Sequence, residues 1–280
     1  MLKPTVAAVT AAALLSITNL CSAQLGQGPF TMDMVRTSLP VEGAPLAEKG
    51  PYEVATEPAF GSPGHVILHP ASLDAFPKKD TLPVVVWGNG GCAIDSKAFM
   101  GFLTTVASHG FLVIGTAAIE GAPRRQANVD DLRAAIDWAD KEVKRDGSPL
   151  KGKIAVGKVA VMGSSCGGFL SIDLAADPRV KTIGVFNAGV TKIDPKSPPP
   201  FPIPDFDALN KVPAFYGSRH GAGHSATFFH PGGGEFANVA SNWALWQLKG
   251  DKKAGAMFVG KSCGLCTNSN WDVASKGFGK

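Results

Sequence analysis

Residues Gly163-Ser-Ser-Cys-Gly167 stand between an apolar run, Lys158 to Met162, and a helical pattern from Ser165 to Ala176. A serine between two glycines, where a strand turns into a helix, is the pattern of a nucleophile elbow. The glycines are needed because side chains would clash on so tight a bend. Ser165 is in register with the two glycines; Ser164 is not. A second segment, Val84-Val-Val-Trp-Gly-Asn-Gly-Gly-Cys92, reads as a strand followed by a glycine-rich loop. It matches neither G-x-x-x-x-G-K-[ST] nor G-x-G-x-x-G, so it is not read as a phosphate cradle. Its other chemistry is to aim a backbone N–H at a carbonyl oxygen as that oxygen becomes an oxyanion. Asn89 stands where an HGGG-type loop has histidine. The first donor is assigned to Gly91, with Cys92 as the near alternative, and the second to Cys166, the residue after the nucleophile.

Such groups need elements to hold them. His65 to His69, Val84 to Trp87, Phe111 to Ile114, Lys158 to Met162 and Lys181 to Phe186 are short apolar strand candidates. Between them lie helical patterns: Phe99, Phe102, Leu103 and Val106, capped at Asp95 and ended by Gly110; then Val129 to Val143, capped at Asn128. Strands alternating with helices predict βαβ units and a mostly parallel sheet. Residues 24 to 60 predict an irregular arm or edge structure. Val212 to Tyr216 predicts the last strand and Glu235 to Leu248 the final amphipathic helix. The ten residues 195 to 204 hold six prolines and are unfit for a central strand or helix.

With 280 residues, 45% of them hydrophobic and 18% charged, the chain fits one globular domain. A net charge of +4 without a block of like charges gives no support to nucleic-acid or membrane-surface binding. Residues 1–23, with Lys3, the apolar run Val6 to Leu20 and the small residues before Gln24, read as a signal peptide. Residues 24–280 would then be the exported domain, with no membrane span in the mature chain. Loss of Cys21 leaves four cysteines for an oxidising compartment. Cys263-Gly-Leu-Cys266 predicts a short disulfide pinning the tail; zinc would need two more ligands, and none are spaced for it. Cys92 and Cys166 flank the expected oxyanion hole and predict a second bridge. No cofactor or metal is called for.

The run from Val84 to about Leu248 resembles secreted α/β-hydrolases of the dienelactone hydrolase and cutinase-like polyester hydrolase kind. The resemblance rests on the Gly88-to-Cys92 loop, Ala107-Ser-His-Gly110 before Phe-Leu-Val-Ile, the Gly-Ser-Ser-Cys-Gly-Gly elbow, Gly-Ala-Gly-His224, and the tail from Trp246 to Cys266. It implies an α/β-hydrolase fold, a mostly parallel sheet flanked by helices. Chain order in that fold is serine, acid, histidine. His220, His224 and His230 all follow the last strand candidate, and His224 matches the family's Gly-His segment. His65, His69 and His109 come too early and are read as surface or capping residues. The family's acid sits on a further strand ending in Gly-x-x-Asp, which is shortened or missing here. Asp205 is the first choice for the acid, then Asp207, with Asp194 also open. Some relatives use a cysteine nucleophile, but Cys166 lies one residue beyond the elbow. The expectation is an exported serine hydrolase cleaving small-molecule or polymeric carboxylic esters through an acyl-enzyme. The alternative is a catalytically weak binding protein on the same fold. No lid segment stands out, and oligomeric state is not legible.

Overall fold

The strand β3 (Leu82–Gly88) is apolar along its length because both of its faces are covered. Val84 and Val86 point into one layer, against Leu132 and Ile136 of a helix over Val129–Glu142. Val85 and Trp87 point into the other, with Phe102 and Val106 of Met100–Ser108 and Ala237 and Ala240 of Gly234–Ala244. The computed structural model describes residues 41–189 and 204–278. The expected signal peptide at 1–23, Asp194 and most of the proline-rich stretch lie outside the described residues.

In chain order the remaining elements are β1 (Val54–Pro58), β2 (His65–Pro70), β4 (Leu112–Thr116), β5 (Ile154–Ser164), β6 (Val180–Phe186), β7 (Ala214–Arg219) and β8 (Trp271–Lys276). The helices are α1 (Met100–Ser108), α2 (Val129–Glu142), α3 (Cys166–Leu174), α4 (Pro204–Ala208), α5 (Gly234–Ala244) and α6 (Lys252–Gly255). The six-stranded sheet runs β1-β2-β4-β3-β5-β6. Strands β4, β3, β5 and β6 are parallel, and β1 and β2 are antiparallel at one edge. This is a mostly parallel sheet flanked by helices, the α/β-hydrolase arrangement.

Local chemistry sets the ends of the elements. Asn128 and Asp131 form a reciprocal capping box at the start of α2. Asp95 accepts from the Lys97 amide and caps a 3-10 turn, Ser96–Phe99, that runs into α1. Gly110, at φ 84°, ends that helix.

The structure departs from the sequence reading in several places. Of the two readings of residues 24 to 60, an irregular arm or edge structure, the described part contains the second: β1 is an edge strand that ends at Pro58, where a missing N–H does no harm. The strand read at Val212 begins at Ala214 and pairs antiparallel with β8, an element not foreseen, and not with β6. The indole of Trp243 on α5 reaches β6 instead, its Nε1 donating to Thr182 Oγ1 at 2.8 Å. His65 and His69 are buried, not surface residues. His65 is held between Ser62 Oγ and the Asp131 carbonyl, and His69 faces Glu57 across β1 and β2. His109 does serve as the C-terminal cap of α1.

Candidate active site

Three parallel strands deliver their C-terminal ends to one edge of the sheet, the edge at which open α/β sheets bind ligands. Gly88 at the end of β3 pairs with Gly163 near the end of β5, and Ser164 of β5 pairs with Phe186 at the end of β6. The loop from Asn89, the elbow at Ser165 and the residue Asn187 therefore emerge side by side.

Ser165 sits at φ 53° and ψ −119°, in a region that a residue with a side chain occupies only under constraint. Its N–H donates to the Phe186 carbonyl at 2.8 Å, which extends the strand pairing one residue past β5. Its own carbonyl accepts from Gly168 at 2.9 Å, the first turn of α3. The flanking glycines are required by close approach. A Cβ on Gly163 would lie 2.1 Å from the Gly167 carbonyl oxygen, and one on Gly167 would lie 2.1 Å from that of Gly88. The helix can leave the strand so steeply only because these side chains are missing.

His224 Nε2 lies 2.9 Å from Ser165 Oγ. The other two candidate histidines are occupied elsewhere. His220 Nε2 pairs with Asp272 Oδ2 at 2.9 Å on β8, and His230 Nε2 accepts from the Val41 amide at 3.2 Å. The loop carrying His224 is fixed at both ends. Arg219, the last residue of β7, donates to the His220 carbonyl and to Glu235 of α5, and Glu235 also accepts from the indole of Trp271. At the far end, buried Thr227 donates to the Gly233 carbonyl and accepts from the Phe236 amide. In the middle, Asn187 Nδ2 donates to the His224 carbonyl at 2.7 Å. Asn187 itself has φ 49°. It was not singled out from the sequence, where a single asparagine after a strand carries no pattern.

Of the acid candidates, Asp205 lies on α4 with its Oδ2 2.6 Å from where a Cβ on Gly189 would stand, two residues past Asn187. The carboxylate is therefore brought to the segment that grips the histidine loop. Asp207 is exposed on the same short helix, its carbonyl oxygen 3.3 Å from Lys276 Nζ.

The glycine-rich loop forms a 3-10 turn, Gly90–Cys92, with Gly91 at φ 63° and Cys92 at φ 48°. A Cβ on Gly90 would stand 4.0 Å from that of Ser165, so the turn borders the serine. The Cys92 amide donates to the Asn89 carbonyl at 3.2 Å, which favours Gly91 over Cys92 as the donor to a substrate. Asn89 is fully buried. Its Nδ2 reaches the Ala93 carbonyl, Ser96 Oγ and Thr116 Oγ1, so it ties the loop to β4 and does not face the serine. A disulfide joins Cys92 to Cys166, with 5.1 Å between their Cα atoms, and a second joins Cys263 to Cys266. Among the described residues no cluster of three His, Cys, Asp or Glu could hold a metal ion, and no helix is long and apolar enough to cross a membrane.

A parallel-sheet α/β-hydrolase fold with serine, imidazole and glycine-rich turn at one sheet edge defines the broad class. Within it, a family model described as PET hydrolase-like matches residues 33–188, more than half of the chain. The chain belongs to this family of ester-hydrolysing α/β-hydrolases. The matched stretch holds the glycine-rich loop, the elbow and Asn187, and ends before His224. No curated protein matches the chain.

Proposed function

We propose that the chain is an exported serine hydrolase that cleaves carboxylic esters through an acyl-enzyme, with residues 24–280 as its single domain. Ser165 Oγ attacks the ester carbonyl while His224 Nε2 takes its proton. The amides of Gly91 and Cys166 hold the oxyanion. His224 then returns the proton to the leaving alkoxide, and water, activated by the same imidazole, releases the acid. Asp205 is the carboxylate of this set, orienting the imidazole. The 2.9 Å contact between His224 Nε2 and Ser165 Oγ, on a serine at positive φ, is the observation that carries the reading. The half-buried serine and exposed histidine leave the site open to solvent, which suits short or polymeric esters. The two disulfides fit an oxidising compartment.

The test is hydrolysis of p-nitrophenyl acetate, p-nitrophenyl butyrate and an amorphous aromatic polyester film, with Ser165→Ala as control. A burst of nitrophenol followed by turnover, both lost in the variant, is the expected result. Absence of burst and turnover together with no labelling by a fluorophosphonate would return the chain to the reading of a binding protein on a hydrolase fold.

A further inference from the structure

Cys92 and Cys166 are not remote staples. One follows Gly91, and the other follows Ser165 and is itself the second oxyanion donor in the reading above, on which this inference rests. Gly91 at the tip of the turn has open space around it, since a Cβ there would meet nothing within 4 Å. Gly91 itself is exposed, while Gly90 and Cys92 on either side of it are the residues that meet the elbow. The turn's own links run backwards and sideways, from Cys92 to Asn89, from Ala93 to Gly90, from Gln126 to the Gly91 carbonyl and from Ala127 to the Cys92 carbonyl. The disulfide is the covalent link from this turn to the elbow. Cys92 also holds φ 48°, a conformation that persists only when its surroundings over-determine it.

We propose that the Cys92–Cys166 disulfide is a redox-sensitive brace of the oxyanion hole, so that a dithiol reductant lowers turnover while the fold persists. Cys92 is buried and Cys166 is partly exposed, so an incoming thiolate meets the bond from the Cys166 side. Its attack on Cys166 Sγ expels Cys92 as a thiolate, which takes up a proton. The reductant's second thiol then displaces Cys166, and the reductant leaves as a cyclic disulfide, with two electrons passed to the protein. Freed of the bond, the turn relaxes and the Gly91 amide loses its aim.

The full-length enzyme is titrated with dithiothreitol under native conditions, and free thiols, far-UV circular dichroism, kcat and KM are followed together. Opening of Cys92–Cys166 should lower kcat by about 10²-fold, the effect of losing one oxyanion donor. KM should change little, and fluorophosphonate labelling of Ser165 should slow in parallel. A Cys263→Ala, Cys266→Ala variant should respond to the reductant like the wild type. A Cys92→Ala, Cys166→Ala variant should start slow and show no further response; if it fails to fold, the titration of the wild type decides alone. Full kcat in folded enzyme whose Cys92 and Cys166 thiols are free overturns the brace. Failure of the oxidised enzyme to label at Ser165 sinks the hydrolase reading first, and this one with it.

Discussion

At the scale of single residues, the site depends on which imidazole reaches Ser165. His224 and His220 are four residues apart on one loop, yet only His224 approaches the serine, while His220 is turned toward Asp272. His224→Ala should lower kcat/KM for p-nitrophenyl butyrate by about 10⁴-fold or more, whereas His220→Ala should stay close to the wild type. The two carboxylates of α4 give a second contrast. Asp205→Asn should lower kcat by about 10²- to 10⁴-fold, because an imidazole without its acid is poorly oriented, and Asp207→Asn should change it little. Equal effects of the two aspartate substitutions would remove Asp205 from the site. The tight turn at Ser165 was legible from the glycine spacing together with the apolar run before it and the helical pattern after it, because strained turns admit few residue types. The candidate histidines were legible from chain order, and His224 among them from its family segment. Asn187 was not legible, since its role comes from a backbone carbonyl 37 positions away brought to its amide by the fold.

At the scale of elements, the elbow works because α3 descends onto β3 and β5 with glycine between them. Gly167→Ala puts a methyl group 2.1 Å from the Gly88 carbonyl oxygen, an atom fixed in a central strand. The helix must lift, and the expected cost is about 3 kcal/mol of stability by denaturant unfolding, with loss of activity. Unchanged stability would mean that the helix start has slack.

On the same face of the sheet as α3, Arg179 links α2 to the turn before β6, bonding Asp137, Asp140 and Asp177. Hydrogen bonding from Arg179 holds the Asp177 carboxyl at about 2, below the ordinary value of 3.8. A lowered folded-state pKa stabilises the fold fully above the ordinary carboxylate range, and that stability is lost as pH falls toward 2. The wild-type melting temperature should therefore drop between about pH 4 and pH 2, and Arg179→Leu should flatten that drop. Strands β3, β4 and β5 were visible as apolar runs, because buried parallel strands are apolar on both faces, while antiparallel β2 and the half-buried edge strand β6 were visible from their apolar residues alone. Strands β1 and β8 were not, because an edge strand and a two-stranded ribbon are half polar and resemble loop.

At the scale of the whole molecule, the two disulfides close loops of very different size. Cys92 and Cys166 are 74 positions apart, and Cys263 and Cys266 are 3 apart. If the bonds act mainly by restricting the unfolded chain, the first contributes about 4.5 kcal/mol and the second about 1.5 kcal/mol, since the entropy removed grows with the logarithm of loop length. The long-range bond also joins the loop after β3 to the start of α3, whereas the short one organises a turn near β8. Replacing Cys92 and Cys166 by alanine should thus lower the unfolding free energy by about 3 kcal/mol more than replacing Cys263 and Cys266. Urea unfolding of both variants against the wild type measures the difference. A larger loss from the Cys263 pair would show that Cys263, almost fully buried, matters through packing and not through chain closure. The tail beyond α5 would then be a structural part of the domain core, holding β8 against β7 and, through Trp271 and Glu235, the start of the loop that carries His224.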